Sequence, residues 1–312
     1  MSERQNAVGM RRRRGMLGGG AAGLAGAALV ACGGRQTAVP EKTISGRVTT
    51  VVAAGDIADC RHPGDDATAR LLGRIPGTVL TLGDNAYESG SEEEYADCYA
   101  PTWGRFENRT RPTPGNHEYY TPGAEGYFGY FGKVAGSPGE GYYSYDLGSW
   151  HLVALNSNCT AVGGCDAASP QGRWLQNDLA DDRRKCTLAY FHYPLFSSGK
   201  YAPGIPDVKP LWEMLYSAGA DVVLNGHDHN YQRFAPQDPE GESDPERGIR
   251  EFVVGTGGES HYAVVRHTAN LQTYNDDTFG VLRLTPHPSS YDWKFVPVAG
   301  ETFADSGTAS CH

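Results

Sequence analysis

Side chains that can bind a metal ion recur just after strand-like segments of this chain. Six residues share this position: Asp56, Asp84, Asn116, His192, His227 and His229. In α/β sheets the carboxyl ends of the strands are where binding sites gather. The pattern therefore predicts that the six side chains meet at one sheet edge, where they can hold two metal ions about 3.5–4 Å apart.

The stretch from Thr81 to Tyr87 places a carboxylate three residues before a phenol. The two oxygens of Asp84 can bridge two cations, and the Tyr87 phenolate is a hard ligand that suits trivalent iron. Taken singly, Tyr87 fits a packed core aromatic residue and His192 fits a core histidine. The ordered set favours a metal site instead.

The pair His227 and His229 is separated by one residue. In an extended segment both imidazoles face the same way and Asp228 faces away, so the pair can serve adjacent cations. Gly226 permits a close approach of the backbone. We therefore expect both histidines to act as ligands.

Hydrophobic periodicity predicts alternating strands and helices. Strands are predicted at residues 48–54, 79–82, 142–147, 151–156, 187–191, 221–224, 251–254, 280–284 and 291–296, with a short extended segment at 111–114, and helices at 65–74, 92–103, 171–184 and 208–218. Residues 119–141 are rich in Gly, Tyr and Pro and are predicted to form a loop that lines the site. The order favours an α/β domain of two packed sheets with helices outside.

The N-terminal segment predicts export. Residues 1–31 contain the basic cluster Arg11 to Arg14 and then a Gly/Ala-rich apolar stretch, as in an export signal. The end of this stretch resembles the lipobox of bacterial lipoproteins, which implies lipidation of Cys32; a plain cleaved signal is the alternative. Residues 32–47 are a polar tether, and residues 48–312 are one domain, held outside the cytoplasm at the cell membrane by the lipid alone.

Net charge and cysteine count narrow the class further. The formal net charge is −10, which disfavours nucleic acid as a partner. Six cysteines remain besides Cys32: Cys60, Cys98, Cys159, Cys165, Cys186 and Cys311. In an exported protein they predict three disulfides among fifteen possible pairings. We favour Cys60–Cys98, Cys159–Cys165 and Cys186–Cys311, in which the middle pair is local; a thiolate metal site lacks the Cys-x-x-Cys spacing.

Five short blocks carry a family resemblance. They are Gly55-Asp56, Gly83-Asp84-x-x-Tyr87, Gly115-Asn116-His117-Glu118, Phe191-His192 and Gly226-His227-x-His229. In this order they resemble the signature of the purple acid phosphatases, within the metallophosphoesterase superfamily, over about residues 48–312. The resemblance implies a four-layer α/β/β/α sandwich of two mixed sheets with flanking helices.

The resemblance also implies a role for each site residue. Fe(III) would be held by Asp56, Tyr87 and His229, and a divalent ion (Fe, Zn or Mn) by Asn116, His192 and His227, with Asp84 bridging the two. His117 would lie over the phosphate, beside Asn116, as hydrogen-bond donor or general acid, with Glu118 orienting it. Family members often have a further substrate-facing histidine after His192; here Lys200 or Tyr201 replaces it. Ala58 departs from the usual glycine of the first block and cannot bind a metal, which leaves Tyr87 as the stronger ligand.

The implied function is an exported phosphoric monoester hydrolase acting on small phosphate esters. Two cations would bind the phosphate oxygens and acidify a water, so that hydroxide attacks phosphorus in line. One alternative is a phosphodiesterase or nucleotidase that uses the same metals. Another is a non-catalytic surface lipoprotein that binds metal or phosphate.

Overall fold

The computed structural model describes residues 49–312. The predicted signal, the tether and Cys32 lie outside the described residues. Within residues 49–312, every helix is too short or too polar to cross a lipid bilayer.

Strands within the described residues form two mixed sheets. In chain order they are β1 Val51–Ala54, β2 Thr78–Leu82, β3 Thr110–Thr113, β4 Tyr143–Leu147, β5 Trp150–Ala154, β6 Cys186–Tyr190, β7 Val222–Asn225, β8 Tyr231–Phe234, β9 Arg250–Val254, β10 Leu271–Asn275, β11 Gly280–Pro286, β12 Ser290–Pro297 and β13 Ser306–Ser310. The first sheet has the order β13-β12-β11-β1-β2-β3, and the second has the order β10-β8-β9-β7-β6-β5-β4. β1, β2 and β3 are mutually parallel in the first sheet, as are β5, β6, β7 and β9 in the second.

Helices lie between successive strands along the chain. They are α1 Gly64–Leu72, α2 Glu92–Glu94, α3 Glu125–Phe131, α4 Pro170–Asp181 and α5 Lys209–Ala218. Helix α4 begins with Pro170 behind Ser169, whose side chain accepts from the backbone N–H of Gly172; such a cap stabilises a helix start by about 1 kcal/mol. Helix α5 ends at Gly219, where φ is 81°, a left-handed conformation that favours glycine.

The core has separate compartments on the two faces of the second sheet. Val222 and Leu224 of β7 belong to the compartment shared with the first sheet. Val223, between them, belongs to the compartment shared with Leu215 of α5, as the alternation of a strand requires. Rings also meet across the sheets, as where Phe252 of β9 lies 5.9 Å from the ring of Trp293 on β12. The predicted sandwich of two mixed sheets with flanking helices is confirmed.

The prediction of a loop at residues 119–141 is wrong. Much of this stretch is helical, with α3 between short 3-10 segments at Pro122–Ala124 and Gly132–Ala135. Tyr127 and Phe131 are four positions apart, which places both on one helix face, and Phe131 packs on Tyr95 at 5.7 Å between ring centroids. Tertiary packing of the aromatic rings thus outweighs the helix-breaking glycines.

Other elements depart from prediction in smaller ways. The helix predicted at 92–103 is divided into α2, a π-helical turn at Tyr95–Tyr99 and a 3-10 segment at Trp103–Arg109. Three strands were not predicted, namely β8, β10 and β13, of which the last two lie at sheet edges. Edge strands carry less of the apolar alternation that marks a strand in sequence.

Three disulfides join the cysteines of the described residues. They are Cys60–Cys98, Cys159–Cys165 and Cys186–Cys311, which is the pairing favoured from the sequence. The last one links the start of β6 to the residue after β13, and therefore crosses from one sheet to the other.

Candidate active site

The seven predicted metal ligands converge between the two sheets. The first sheet supplies Asp56 after β1, Asp84 and Tyr87 after β2, and Asn116 after β3, and the second supplies His192 after β6 and His227 and His229 after β7. The ligand-bearing strands β1, β2 and β3 are parallel to one another in the first sheet, and β6 and β7 are parallel to each other in the second. The meeting point is therefore the carboxyl edge of both sheets, as expected from the sequence.

Four side chains form the first donor group. Tyr87 Oη lies 3.0 Å from Asp56 Oδ1, 3.2 Å from Asp84 Oδ2 and 3.2 Å from His229 Nε2. His229 Nε2 is also 3.3 Å from Asp56 Oδ1. Ligands around one metal ion with bonds of about 2.1 Å are separated by distances of this size.

The second donor group is centred on His192. Its Nε2 lies 3.1 Å from Asp84 Oδ2, 3.1 Å from Asn116 Oδ1 and 3.2 Å from His227 Nδ1. Asp84, His192 and His227 by themselves form a cluster that could hold a metal ion. Asp84 Oδ2 belongs to both donor groups, so this oxygen lies where a bridging ligand is required.

Each site carboxylate has one oxygen held by the backbone. Asp56 Oδ2 accepts from the N–H of His227 at 2.9 Å, and Asp84 Oδ1 accepts from the N–H of His117 at 2.9 Å. The other oxygen of each pair, Oδ1 of Asp56 and Oδ2 of Asp84, is thereby directed towards the centre. The bonds cross between elements that are distant in sequence, so they also fix the ligand-bearing turns relative to one another.

Two glycines make this close packing possible. A Cβ at Gly115 would lie 2.1 Å from Asp84 Oδ1, and one at Gly226 would lie 2.7 Å from Asp56 Oδ2. Both separations are shorter than any tolerated contact, so a side chain at either position would displace a site carboxylate. The glycines of the sequence blocks therefore have a steric role.

Three site residues have left-handed backbone conformations. φ is 60° at Asp56, 48° at Asp84 and 71° at His227. Such values are uncommon outside glycine and cluster at functional sites, where surrounding contacts hold them. The sharp turns point the three side chains back over the ends of their strands.

The prediction of an extended backbone at residues 227–229 is wrong. The N–H of Asp228 donates to Gly226 O at 2.9 Å, and the N–H of Asn230 donates to Asp228 O at 2.6 Å, which is a succession of tight turns. Both imidazoles still reach the centre. Asp228 is buried and accepts from the hydroxyl of Ser197, so it anchors a neighbouring loop.

Hydrogen bonds at the far side of the rings set the orientation of two histidines. His192 Nδ1 lies 2.9 Å from Leu82 O, on the opposite sheet, and His229 Nδ1 lies 2.7 Å from a carboxylate oxygen of Glu259. A ring N–H donated to such an acceptor leaves the other nitrogen free to bind a metal. Both Nε2 atoms face the centre accordingly.

The charges of the site favour cations. Burial lowers the pKa of His192, but Asp84 outweighs it and raises this pKa to about 9. At His229, burial likewise lowers the pKa, but the charge of Asp56 outweighs burial and raises this pKa to about 9. Burial and the neighbouring charge of His192 lower the pKa of His227 well below its usual value. Positive charge is thus favoured at both rings, and a metal ion bound at each Nε2 in place of a proton would supply it.

His117 and Glu118 have different structural roles, one beside the centre and the other beneath the ligand-bearing turns. His117 is partly exposed beside the centre, with Nε2 3.9 Å from Asp84 Oδ2 and Nδ1 2.6 Å from Glu88 O. Glu118 was expected to orient it, but the buried Glu118 carboxylate accepts from the N–H groups of Gly115 at 2.6 Å and Asn85 at 2.7 Å. Glu118 therefore fixes the two ligand-bearing turns, and the Glu88 carbonyl orients His117.

Lys200 and Tyr201 lie at the border of the centre. The Tyr201 ring stacks on His227 with 3.9 Å between centroids, and Lys200 Nζ lies 4.0 Å from the centroid of Tyr262. Tyr262 itself stacks on His229 at 3.9 Å.

Sequence reasoning missed Tyr262 and Glu259. Glu259 follows Gly257 and Gly258 after β9, the same order of strand, glycine and polar residue that marks the ligands. That signal was available. Tyr262 carries no comparable signal.

This constellation and fold agree with a known family. Residues 49–231 match the model of the calcineurin-like phosphoesterase family. This is more than half of the chain, and the chain belongs to that family.

Its relatives include plant purple acid phosphatases. The chain is 30% identical to purple acid phosphatase 15 of Arabidopsis thaliana, over 71% of this chain and 47% of that protein. It is 28% identical to purple acid phosphatase 21 of the same plant, over 81% of this chain and 65% of that protein. The chain thus spans between about half and two thirds of their lengths.

A solved structure shows the same fold. The purple acid phosphatase PPD1 from seeds of yellow lupin (Lupinus luteus) superposes with a TM-score of 0.66 at 20% identity. The match covers 84% of this chain and 54% of that one.

Proposed function

We propose that this chain is a phosphoric monoester hydrolase with two metal ions at the candidate active site. One observation carries the proposal: two donor groups, each with spacings of 3.0–3.3 Å, share the single oxygen Asp84 Oδ2. The similarity to purple acid phosphatases supports it.

The donor chemistry supports an assignment of the two metals. The first group contains a phenol and two carboxylates, which suit Fe(III), and the second contains imidazoles and an amide, which suit a divalent Fe, Zn or Mn. Two cations bound here would neutralise the phosphate and make a water molecule acidic enough to attack phosphorus. Asp84 joins the two groups.

The other residues position and protonate the substrate. His117 lies on the partly exposed side of the centre, where it can donate a hydrogen bond to phosphate and a proton to the departing alkoxide. The Glu88 carbonyl holds its Nδ1, so Nε2 is the atom that faces the substrate. Asn116 places its amide beside the same side of the centre and can contact phosphate.

The sequence and the disulfides support a location outside the cytoplasm. We infer export by residues 1–31, lipidation at Cys32, a tether at 32–47 and a catalytic domain at 48–312 outside the cytoplasm. Three disulfides support this proposal, because disulfides persist in oxidising compartments.

The activity test compares phosphate monoesters and diesters. Purified protein with its metals is expected to hydrolyse p-nitrophenyl phosphate faster than bis(p-nitrophenyl) phosphate. Faster diester hydrolysis would make the protein a phosphodiesterase. A metal-loaded protein that hydrolyses neither ester would show a binding function instead.

Metal analysis with a visible spectrum tests the iron assignment. A Tyr87 phenolate bound to Fe(III) gives a charge-transfer band, which should disappear in Tyr87→Phe and persist in Tyr274→Phe, a change at an exposed tyrosine. A colourless protein that contains only zinc would contradict the iron assignment and leave the two-metal proposal intact.

A further inference from the structure

Two loops beside the centre form one structural unit, which we call the rim: residues 197–201 and 259–268. Ser198 O accepts from the backbone N–H of Val265 at 3.0 Å, and the hydroxyls of Ser198 and Thr268 are 2.6 Å apart. The loops therefore hold each other in place.

The rim is also bound to the histidine turn. The N–H of Tyr262 donates to His229 O at 2.9 Å, and the amide of Asn230 donates to Tyr262 O at 3.0 Å. The N–H of Tyr201 donates to the carboxylate of Asp228 at 3.3 Å. The side chains of the rim thus have fixed positions relative to the candidate metal centre.

Lys200 completes a stack of three side chains. The ring of Tyr262 is nearly parallel to that of His229, with 9° between planes and 3.9 Å between centroids. Lys200 Nζ is 4.0 Å from the same ring of Tyr262 and must lie on its other face, since His229 covers the first. The ammonium is therefore at most about 8 Å from the His229 ring, held by a cation–π contact.

The ring of Tyr262 has no free face for a substrate. His229 and Lys200 cover its two faces, and His227 covers one face of Tyr201 at 3.9 Å. What remains around Tyr262 is the ammonium group of Lys200 and the tyrosine hydroxyl. This part of the rim can therefore bind negative charge and hydrogen-bond acceptors.

The charge of Lys200 is available to a ligand. The ion pairs of Lys and Arg within residues 49–312 are formed by Arg61, Arg184, Lys209 and Arg233. Lys200 is not among them, and its side chain is exposed. An ammonium group fixed on an aromatic ring, without a carboxylate partner, is ready to bind an anion.

We propose that Lys200 determines substrate specificity: it selects phosphate esters whose leaving group carries a second negative charge. This inference rests on the proposed function, because it places the reacting phosphate at the metal centre. The second charge, a carboxylate or another phosphate, contacts Lys200 Nζ while Tyr262 holds the ammonium in position.

Two substrates that differ in one charged group test this directly. 3-Phosphoglycerate has a carboxylate where glycerol 3-phosphate has a hydroxymethyl group. We expect kcat/KM for the wild type to favour 3-phosphoglycerate by about 2–5-fold, the size expected of a partly exposed ion pair. Lys200→Met should reduce this ratio to near unity, and Lys200→Arg should retain it. Lys294→Met, at an exposed strand position, is the matched control.

Calorimetry gives a readout that does not depend on turnover. 3-Phosphonopropionate should bind the metal-loaded protein more tightly than propylphosphonate, by a similar factor that falls with added salt. Tyr262→Leu, which removes the ring under the ammonium, should weaken this preference, whereas Tyr262→Phe should keep it.

The outcomes separate this inference from the proposed function. A ratio that is near unity in the wild type, or equal in wild type and Lys200→Met, overturns the role of Lys200 even though monoesters are hydrolysed. Absence of all hydrolysis contradicts the proposed function, and the calorimetric preference then decides on Lys200 alone.

Discussion

The two sheets contribute different chemistry to the candidate active site. The first sheet supplies oxygen donors, from Asp56, Asp84, Tyr87 and Asn116, and the second supplies the imidazoles of His192, His227 and His229. Neither sheet holds a complete set of ligands for even one of the two donor groups. The site therefore exists only where the sheets are packed together.

Contacts between the sheets fix the positions of the candidate ligands relative to one another. The second sheet's His227 donates its N–H to Asp56, and His192 Nδ1 contacts Leu82 O of the first sheet. These bonds orient a ligand and join the sheets at once. The packing of the sheets and the geometry of the candidate active site thus depend on the same atoms, and the following experiments separate the two.

Removing the shared oxygen should have the largest effect. Asp84→Ala takes a donor from both groups, so we expect turnover to fall at least about 1,000-fold, or about 4 kcal/mol of barrier. Metal content should fall as well. Asp181→Ala, at an exposed carboxylate of α4, should change neither. Near-normal turnover in Asp84→Ala would show that the shared oxygen is not needed to join the two donor groups.

Creating a cavity in the core between the sheets should cause the largest loss of folding stability. Phe252 is fully buried and packs on Trp293 across the sheets. Phe252→Ala should lower the free energy of unfolding by about 3–5 kcal/mol, measured by urea denaturation. Tyr274→Ala, at an exposed edge position, should have little effect. If the two variants were equally stable, the sheets would not depend on this contact.

Metal removal tests whether cations join the sheets. A ligand that binds the folded state alone stabilises it by about 3 kcal/mol when its free concentration is 100 times Kd. Chelation should therefore lower the urea midpoint, and hydrogen exchange should increase first at the turns after β2 and β7. Equal midpoints with and without chelator would mean that the metals do not stabilise the sandwich.

The smallest effect on folding stability is expected from an ionic contact on the outer side of the second sheet. There His151 lies 3.2 Å from Asp146 and 2.8 Å from Asp178 of α4. Burial opposes charging, but the bonds to Asp178 and Asp146 raise the pKa of His151 above its usual value. The stabilisation is therefore complete below about pH 6.5, the unfolded value, and is lost as the pH rises through the folded pKa.

His151→Gln measures this contribution. We expect a loss of about 1–2 kcal/mol near pH 6 and a smaller loss near pH 9, from urea denaturation at each pH. Turnover at 25 °C should be unchanged, because this contact is remote from the site. A loss that does not vary with pH would show that the charge of His151 is not involved.

The sequence predicted the candidate metal ligands better than the residues that hold those ligands in place. Asp84 and His192 each follow a buried strand directly, and such signals lie within a few residues of each other. By contrast, Glu259 and Tyr262 support the site through contacts with His229, some thirty residues away in the chain. The turn at His227 was also missed, because its backbone is held by Asp56, which is remote in sequence. Local patterns predict which groups come together at the site. Tertiary contacts decide how these groups are held.

The Cys186–Cys311 disulfide links the two sheets covalently. It crosses the sheets at the start of β6, whereas His192 lies beyond the end of that strand, about 20 Å away at 3.3 Å per residue. One end of the sandwich is thus closed by a covalent bond, and cations bound at the candidate active site would close the other. If such cations were removed, the disulfide and the core would still hold the two sheets together, so that rebinding would require no reassembly of the ligand-bearing turns.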